Sequence, residues 1–177
     1  MKKILLVSFF ICSIAGSVIG QKWVQLGDPL IGNETGEKFG ESISISSDGR
    51  IVAVGDDQNN ENGRFSGQVR IFEYNGSSWV QLGQDINGEV AFDQIGRVVS
   101  LSSDGLSIVI TYQGNNGDSN RNREEINGRV RIYDYNYLNW VQRGQDIDFS
   151  HPYVNHAVLS SNGNTVAVGA YNQVKIY

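Results

Sequence analysis

The sequence predicts an all-β fold made of four-stranded antiparallel β-propeller blades, about three of them. Three observations predict it. The first is self-similarity. Trp23-Val24-Gln25-Leu26-Gly27 returns as Trp79-Val80-Gln81-Leu82-Gly83 and as Trp140-Val141-Gln142-Arg143-Gly144, at spacings of 56 and 61 residues. Ser46-Ser47-Asp48-Gly49 returns as Ser102-Ser103-Asp104-Gly105 and Ser160-Ser161-Asn162-Gly163. Val69-Arg70-Ile71-Phe72 returns as Val130-Arg131-Ile132-Tyr133 and Val174-Lys175-Ile176-Tyr177. A repeat of this length is the mark of an array of supersecondary units. The second observation is a hydrophobic period of two, clearest in Ser42-Ile43-Ser44-Ile45. That period belongs to strands. The third is composition. Glycine is 21 of 177 residues and proline only 2, which suits many tight turns and excludes a collagen-like or disordered chain.

Each element follows from local chemistry. Asp48-Gly49 turns the chain after the first strand, because glycine accepts a positive φ and aspartate bonds the following backbone. Ile51-Val52-Ala53-Val54-Gly55 is a short apolar second strand, and 67–74 is the third. Asn75-Gly76 is a hairpin turn into a fourth strand, 78–82. Four antiparallel strands per repeat describe a propeller blade; a solenoid or a sandwich is the structural alternative. The loop between second and third strands varies most, with 20, 25 and 11 residues between the turn glycine and the valine of the third strand. Length variation confined to one place marks a surface loop.

The N-terminus reads as an export signal. Lys2 and Lys3 precede an apolar stretch from Ile4 to Ala15, then Gly16-Ser17-Val18-Ile19-Gly20. This is a basic region, an apolar region and a small-residue cleavage site. Cleavage after Gly20 is expected, with cleavage after Ser17 as the alternative. A membrane anchor is the competing reading, but the stretch is short of the roughly 20 apolar residues a span needs. Cys12 is the one cysteine, and Ile11 before it does not suit lipid attachment. The expected organisation is a signal peptide at 1–20 and a repeat region at 21–177, with repeats near 23–78, 79–139 and 140–177. Secretion or cell-surface display follows, with no membrane span after cleavage.

The repeat resembles the FG-GAP blades of integrin α-subunits and of exported bacterial repeat proteins. Phe39-Gly40 matches the Phe-Gly element. Val52-Ala53-Val54-Gly55-Asp56 and Val166-Ala167-Val168-Gly169-Ala170 match the second element loosely, without its proline. The second repeat departs, with Ile95-Gly96 and Val109-Ile110-Thr111-Tyr112; the third has Val154-Asn155. The Trp-Val-Gln-Leu-Gly motif is similar to the bacterial type. The resemblance implies a propeller that serves interaction, and a calcium site in the loop after the second strand of some blades. Here that loop is 56–63, whose alternate positions Asp56, Gln58, Asn60 and Asn62 offer one carboxylate. The second loop has Asp118 as its acid. Such sets give weak sites at best, so no calcium or other cofactor is expected.

Other chemistry is sparse. His151 and His156 flank Pro152 at no zinc spacing. Glu37 and Asp93 sit two residues before Phe39 and Ile95, and a turn role explains them. Arg70, Arg131 and Lys175 recur at one strand position and read as a blade-surface feature. Trp23, Trp79 and Trp140 read as packing between blades, with a glycan platform as the alternative. No nucleophile elbow or phosphate loop is present. No catalytic or metal-ligating residue is assigned, and the ligand-binding residues stay unassigned. The net charge of -5 excludes charge-driven nucleic-acid binding.

The expected function is therefore an exported, non-enzymatic propeller segment. Its partner would be an extracellular protein or glycan at the loop face. The alternative is a piece of a propeller-based hydrolase or lyase whose site residues lie in further blades. The chain enters on a fourth strand near Trp23 and leaves on a third at Tyr177, which reads as truncation or as a ring completed by another chain. Val69, Ile71, Val130 and Ile132 are expected to be partly uncovered in an open arc, so self-association is expected.

Overall fold

A computed structural model describes residues 22–33, 38–114 and 127–177. It contains twelve strands and, among the described residues, no helix. The first sheet has the order β1 (Ser42–Ile45), β2 (Ile51–Asp56), β3 (Gln68–Tyr74), β4 (Trp79–Gln81), and β5 (Ile86–Asn87) also pairs with β3. The second has β6 (Val99–Leu101), β7 (Ser107–Tyr112), β8 (Arg129–Tyr135), β9 (Trp140–Asp148). The third has β10 (Val154–Leu159), β11 (Val166–Ala170) and β12 (Gln173–Ile176). Every strand pairing is antiparallel. These are propeller blades, stacked as an open arc and not closed into a ring.

The turns form as their chemistry dictates. Ser46 Oγ donates to Asp48 Oδ1 at 2.6 Å, and that oxygen also accepts the Arg50 N–H at 3.0 Å. These bonds hold the Asp48 carboxyl below its ordinary range, the Ser46 hydroxyl contributing most. Ser102 with Asp104, and Ser160 with Asn162, repeat the geometry. Gly49, Gly105 and Gly163 take φ of 74°, 74° and 71°.

The repeat also sets how blades stack. The Ser47 N–H donates to Ser103 O, and the Ser103 N–H to Ser161 O, each at 2.9 Å. Ser44 Oγ accepts the Leu101 N–H, and Ser100 Oγ accepts the Leu159 N–H. The inner strand therefore turns its serines towards the next blade. Ile43 and Ile45 point the other way and are 70% and 60% exposed, whereas their equivalents Val99 and Leu101 are 6% and 7% exposed. Alternation identified the strand correctly, but its apolar side faces away from the second blade.

One apolar cluster fills each seam. Between first and second blades lie Ile51, Val69, Ile71, Val99, Leu101 and Ile108 with the rings of Tyr112, Tyr133 and Trp140. Between second and third lie Val109, Val130, Phe149, Ala157, Leu159 and Val166. This corrects one expectation. Val69, Ile71 and Val130 are fully covered, because their faces look into seams, while Ile132 is half-buried, as expected. The uncovered faces are those of the first and third blades that look away from the second, with Ile43 and Ile45 on one and Val174 and Ile176, each 71% exposed, on the other. A second correction concerns residues 22–31, which carry the first tryptophan motif but form no strand.

Candidate functional site

The repeated arginine is not a blade-surface feature. Arg70 is buried and donates to Asn33 Oδ1 at 3.0 Å and to Ile31 O at 3.2 Å, with its guanidinium over the Phe39 ring. Its equivalent Arg131 reaches Glu89 Oε1 at 2.7 Å, and Glu89 stands 56 residues after Asn33. The arginine is a strap from a third strand to the segment ahead of its blade. Its alternation on β3 and β8 puts it there.

Around Arg131 the strap becomes a charge cluster. Its Nε and Nη2 bind the two Asp146 oxygens at 2.7 and 2.8 Å, a bidentate pair. Arg129 adds longer contacts to Asp146 and Asp93, each at 3.4 Å. Both guanidinium groups lie over the Tyr112 ring, within 4.9 Å of its centre. The Arg131 bond lowers the Asp146 carboxyl below its ordinary range, against the opposing effect of burial. Burial first, then the neighbouring Tyr133 hydroxyl, pushes the Tyr112 phenol up. Asp93 accepts the Glu89 and Val90 N–H groups, which is the expected turn role. Glu37 lies outside the described residues. Every charge here has an opposite partner, so the cluster ties the second blade to the segment ahead of it and presents no open seat. Lys175, the third equivalent, lies over the Phe149 ring at 5.0 Å.

The tryptophans behave alike in two repeats of three. Trp79 Nε1 donates to Leu26 O at 2.8 Å, and Trp140 Nε1 donates to Leu82 O at 2.8 Å. Trp140 is 3% exposed, so packing between blades holds there, while Trp23 is 91% exposed.

Asp56, Asn60 and Asn62 bond backbone groups in and around the loop after β2. Asp56 Oδ1 accepts the Lys38 and Gln58 N–H groups, and Asn60 Oδ1 accepts the Phe65 N–H. Asn62 Nδ2 donates to Gly88 O at 2.8 Å. Among the described residues no group of three or more His, Cys, Asp or Glu could hold a metal. Asp118 lies outside them. His151 stacks on Tyr171 with ring centres 4.4 Å apart, while His156 lines a cleft of about 280 Å³ with 169–174.

The most unusual feature has no sequence motif. The loop 57–67 interlocks with the segment 88–95. The Phe92 N–H donates to Arg64 O at 2.8 Å, and the Gln94 N–H to Phe65 O at 3.0 Å. Phe65, Phe92 and Gln94 hold φ of 55°, 67° and 47°, in the left-handed region that bulky residues avoid. The two rings meet edge to face at 5.9 Å, and the Arg64 guanidinium lies over both. Arg64 and Val90 are exposed beside them. At the base of the loop Asp57 is buried, with Oδ2 3.7 Å from Arg97 and Oδ1 without a hydrogen bond. Desolvation pushes its carboxyl up. The bonds that join the two loops are long-range, so no local motif signals the interlock.

No family model matches the sequence, and no curated protein matches it. A solved structure of the Dos1 propeller superposes on 76% of the chain at 20% identity, with a TM-score of 0.45. The match spans 30% of that structure's chain. The blade assignment here stands on the chain's own pairings and seams. Among the described residues no helix is long and apolar enough to cross a membrane.

Proposed function

We propose that the chain is an exported, non-enzymatic propeller segment of FG-GAP type that binds an extracellular or cell-surface partner through the interlocked loops of its first blade. The observation that carries this reading is the group of three left-handed non-glycine residues in one loop pair. Such conformations cost of order 1–3 kcal/mol each and persist where the surroundings over-determine them, often at functional sites. The exposed composition beside them, Arg64 with two half-buried phenylalanine rings and Val90, is that of a binding hot spot. The basic and apolar N-terminus supports export.

The test uses chain recovered from the culture medium, expected to begin at Gln21. Labelled protein is incubated with intact cells, alongside the Arg64→Ala and Val90→Asp variants. Both positions are exposed, so unchanged melting is expected with at least tenfold weaker binding. Undiminished binding by both variants overturns the loop assignment. Intact Met1 in the membrane fraction overturns export.

A further inference from the structure

The interlocked loops between the first two blades hold one charge that the chain itself does not neutralise. Arg64 is the one cation in 57–67 and 88–95. The acids of the same loops are all engaged. Asp57 faces Arg97 at 3.7 Å, and Glu61 accepts the Gln68 amide at 2.8 Å. Glu89 pairs with Arg131 at 2.7 Å and Asp93 with Arg129 at 3.4 Å. Among the described residues the Arg64 guanidinium makes no ion pair and donates no hydrogen bond. It lies 4.8 Å from the Phe65 ring centre and 5.7 Å from that of Phe92. Stacking on rings uses the flat face of a guanidinium and leaves its in-plane N–H groups free.

We propose that, within the loop-face role described above and resting on it, Arg64 seats a carboxylate of the partner: an aspartate or glutamate side chain in a peptide segment, next to an aliphatic residue. Three observations select this chemistry. The arginine is placed in advance. Its carbonyl accepts the Phe92 N–H at 2.8 Å, and a Cβ on the preceding Gly63 would lie 3.1 Å from Ala91 Cβ, so the two loops close on each other beside it. A fork held in place binds a carboxylate through two parallel N–H bonds with little ordering cost. The charge is single. Glu61 and Glu89 are exposed in the same loops and the chain has a net charge of -5, so a phosphate or a polyanion meets like charge around one cation. The surroundings are apolar. Val90 is exposed and the two phenylalanine rings are half-buried, which gives an aliphatic neighbour of the acid a surface to cover.

Arg131 shows within the same chain what a ring-stacked arginine does with a carboxylate. Its guanidinium lies 4.7 Å from the centre of the Tyr112 ring. Its Nε and Nη2 hold the two Asp146 oxygens at 2.7 and 2.8 Å. Arg64 repeats the stacking and lacks the acid. The difference is exposure: the Arg131 side chain is 11% exposed and closed off by its own chain, whereas Arg64 is open to solvent. A partner that brings a carboxylate to the Arg64 edge completes the arrangement that Asp146 completes for Arg131.

The experiment follows the Arg64 Nε–H and Val90 N–H resonances of the isotope-labelled full chain as acetyl-Leu-Glu-Leu-amide is added, with acetyl-Leu-Gln-Leu-amide as its uncharged isostere. The glutamate peptide should shift both resonances and bind about tenfold more tightly than the glutamine peptide. Arg64→Lys keeps the charge and loses the fork. It should melt like the parent and bind the glutamate peptide about fivefold more weakly, read at Val90. Inorganic phosphate and glucuronate should bind more weakly than the glutamate peptide. Equal binding of the two peptides, undiminished binding by Arg64→Lys, or tighter binding of phosphate or glucuronate overturns the proposal. A second arm uses intact cells whose surface carboxylates have been amidated, which should bind the chain about tenfold more weakly. Cell binding that needs Arg64 but survives amidation overturns the carboxylate seat and leaves the loop-face role standing. Peptide capture without binding to cells supports the seat and overturns the loop-face role alone.

Discussion

The seam between the first and second blades and the seam between the second and third share one backbone plan and differ in their side chains. Both have the serine ladder, at 2.9 Å in each turn-to-turn bond. Beyond that ladder the first seam is aromatic and ionic. It holds Trp140, Tyr112 and Tyr133, with Arg131 fixed between Asp146 and Glu89. The second is smaller and mostly aliphatic, built on Val, Ala and Leu around Phe149. Arg143 takes the place of a motif leucine and crosses this seam to Gly163 O at 2.6 Å. The difference teaches that the stacking geometry is carried by the repeat, while the strength of each seam is carried by residues that have drifted. A tryptophan latch needs a fourth strand on the later blade, and the third sheet has three strands among the described residues.

The largest expected contrast comes from removing the outer anchor of each seam. Trp140→Ala deletes a ring that is 3% exposed and leaves a cavity beside Leu82 and Tyr135. Such a truncation costs about 3–5 kcal/mol. Lys175→Ala removes an exposed cation over one ring and costs less than about 1 kcal/mol. Urea unfolding of the two variants measures the difference. Equal costs would mean that the seams are equally strong and that the side-chain comparison is wrong.

Much of this architecture was legible in the sequence, and the reason is physical. A turn such as Ser46-Ser47-Asp48-Gly49 is specified within four residues, by hydroxyl, carboxylate and glycine, so it can be read without partners. The four-strand order followed from such turns and from the period of two. The facing of strands was not legible. Ser42 to Ile45 alternates identically whichever side meets the next blade, and only the Leu101 N–H on Ser44 decides it. The arginine position recurred visibly, but its burial depends on Asn33 and Glu89, distant residues of unlike type. The interlocked loops were hidden for the same reason. Phe65 and Phe92 are ordinary loop residues until Phe65 O accepts the Gln94 N–H and the Phe92 N–H reaches Arg64 O.

Acid should weaken the ion pairs at both seams, Arg131 with Asp146 at the first and Arg143 with Asp134 at the second. The Asp146 carboxyl is held below its ordinary range by Arg131, so it contributes stability that is complete above the unfolded-state value and is lost as pH falls through the folded one. Asp57 has the opposite sign. Its folded value is raised, so its contribution is greatest below the unfolded-state value and fades as pH rises through the folded one. Asp146→Asn should flatten the acid limb of a stability–pH curve, and Asp57→Asn should stabilise the chain above the carboxylate range. Amide exchange at acid pH should rise first in β8 and β9. An acid limb unchanged in Asp146→Asn would remove the ionic share of the first seam.

The smallest effect tests how Trp140 is aimed into that seam. The hairpin before Trp79 turns on Asn75-Gly76, with Gly76 at φ 101°. The hairpin before Trp140 turns on Asn136-Tyr137, and Tyr137 adopts φ 68°. A left-handed tyrosine costs about 1–2 kcal/mol. Its ring returns part of that cost, lying 6.1 Å from Tyr135, which in turn lies 5.2 Å from Trp140. The ring is 80% exposed, so the return is worth roughly 0.5 kcal/mol. Asparagine tolerates the left-handed region without the unfolded-state freedom of glycine. Tyr137→Asn should therefore stabilise the chain by about 0.5 kcal/mol. Tyr137→Gly should be close to neutral, because its added freedom in the unfolded chain offsets the relieved strain. A loss above about 1 kcal/mol in both variants would show that the Tyr137 ring holds Trp140 on its seat. The first seam would then depend on a strained residue that the hairpin of the first blade does without.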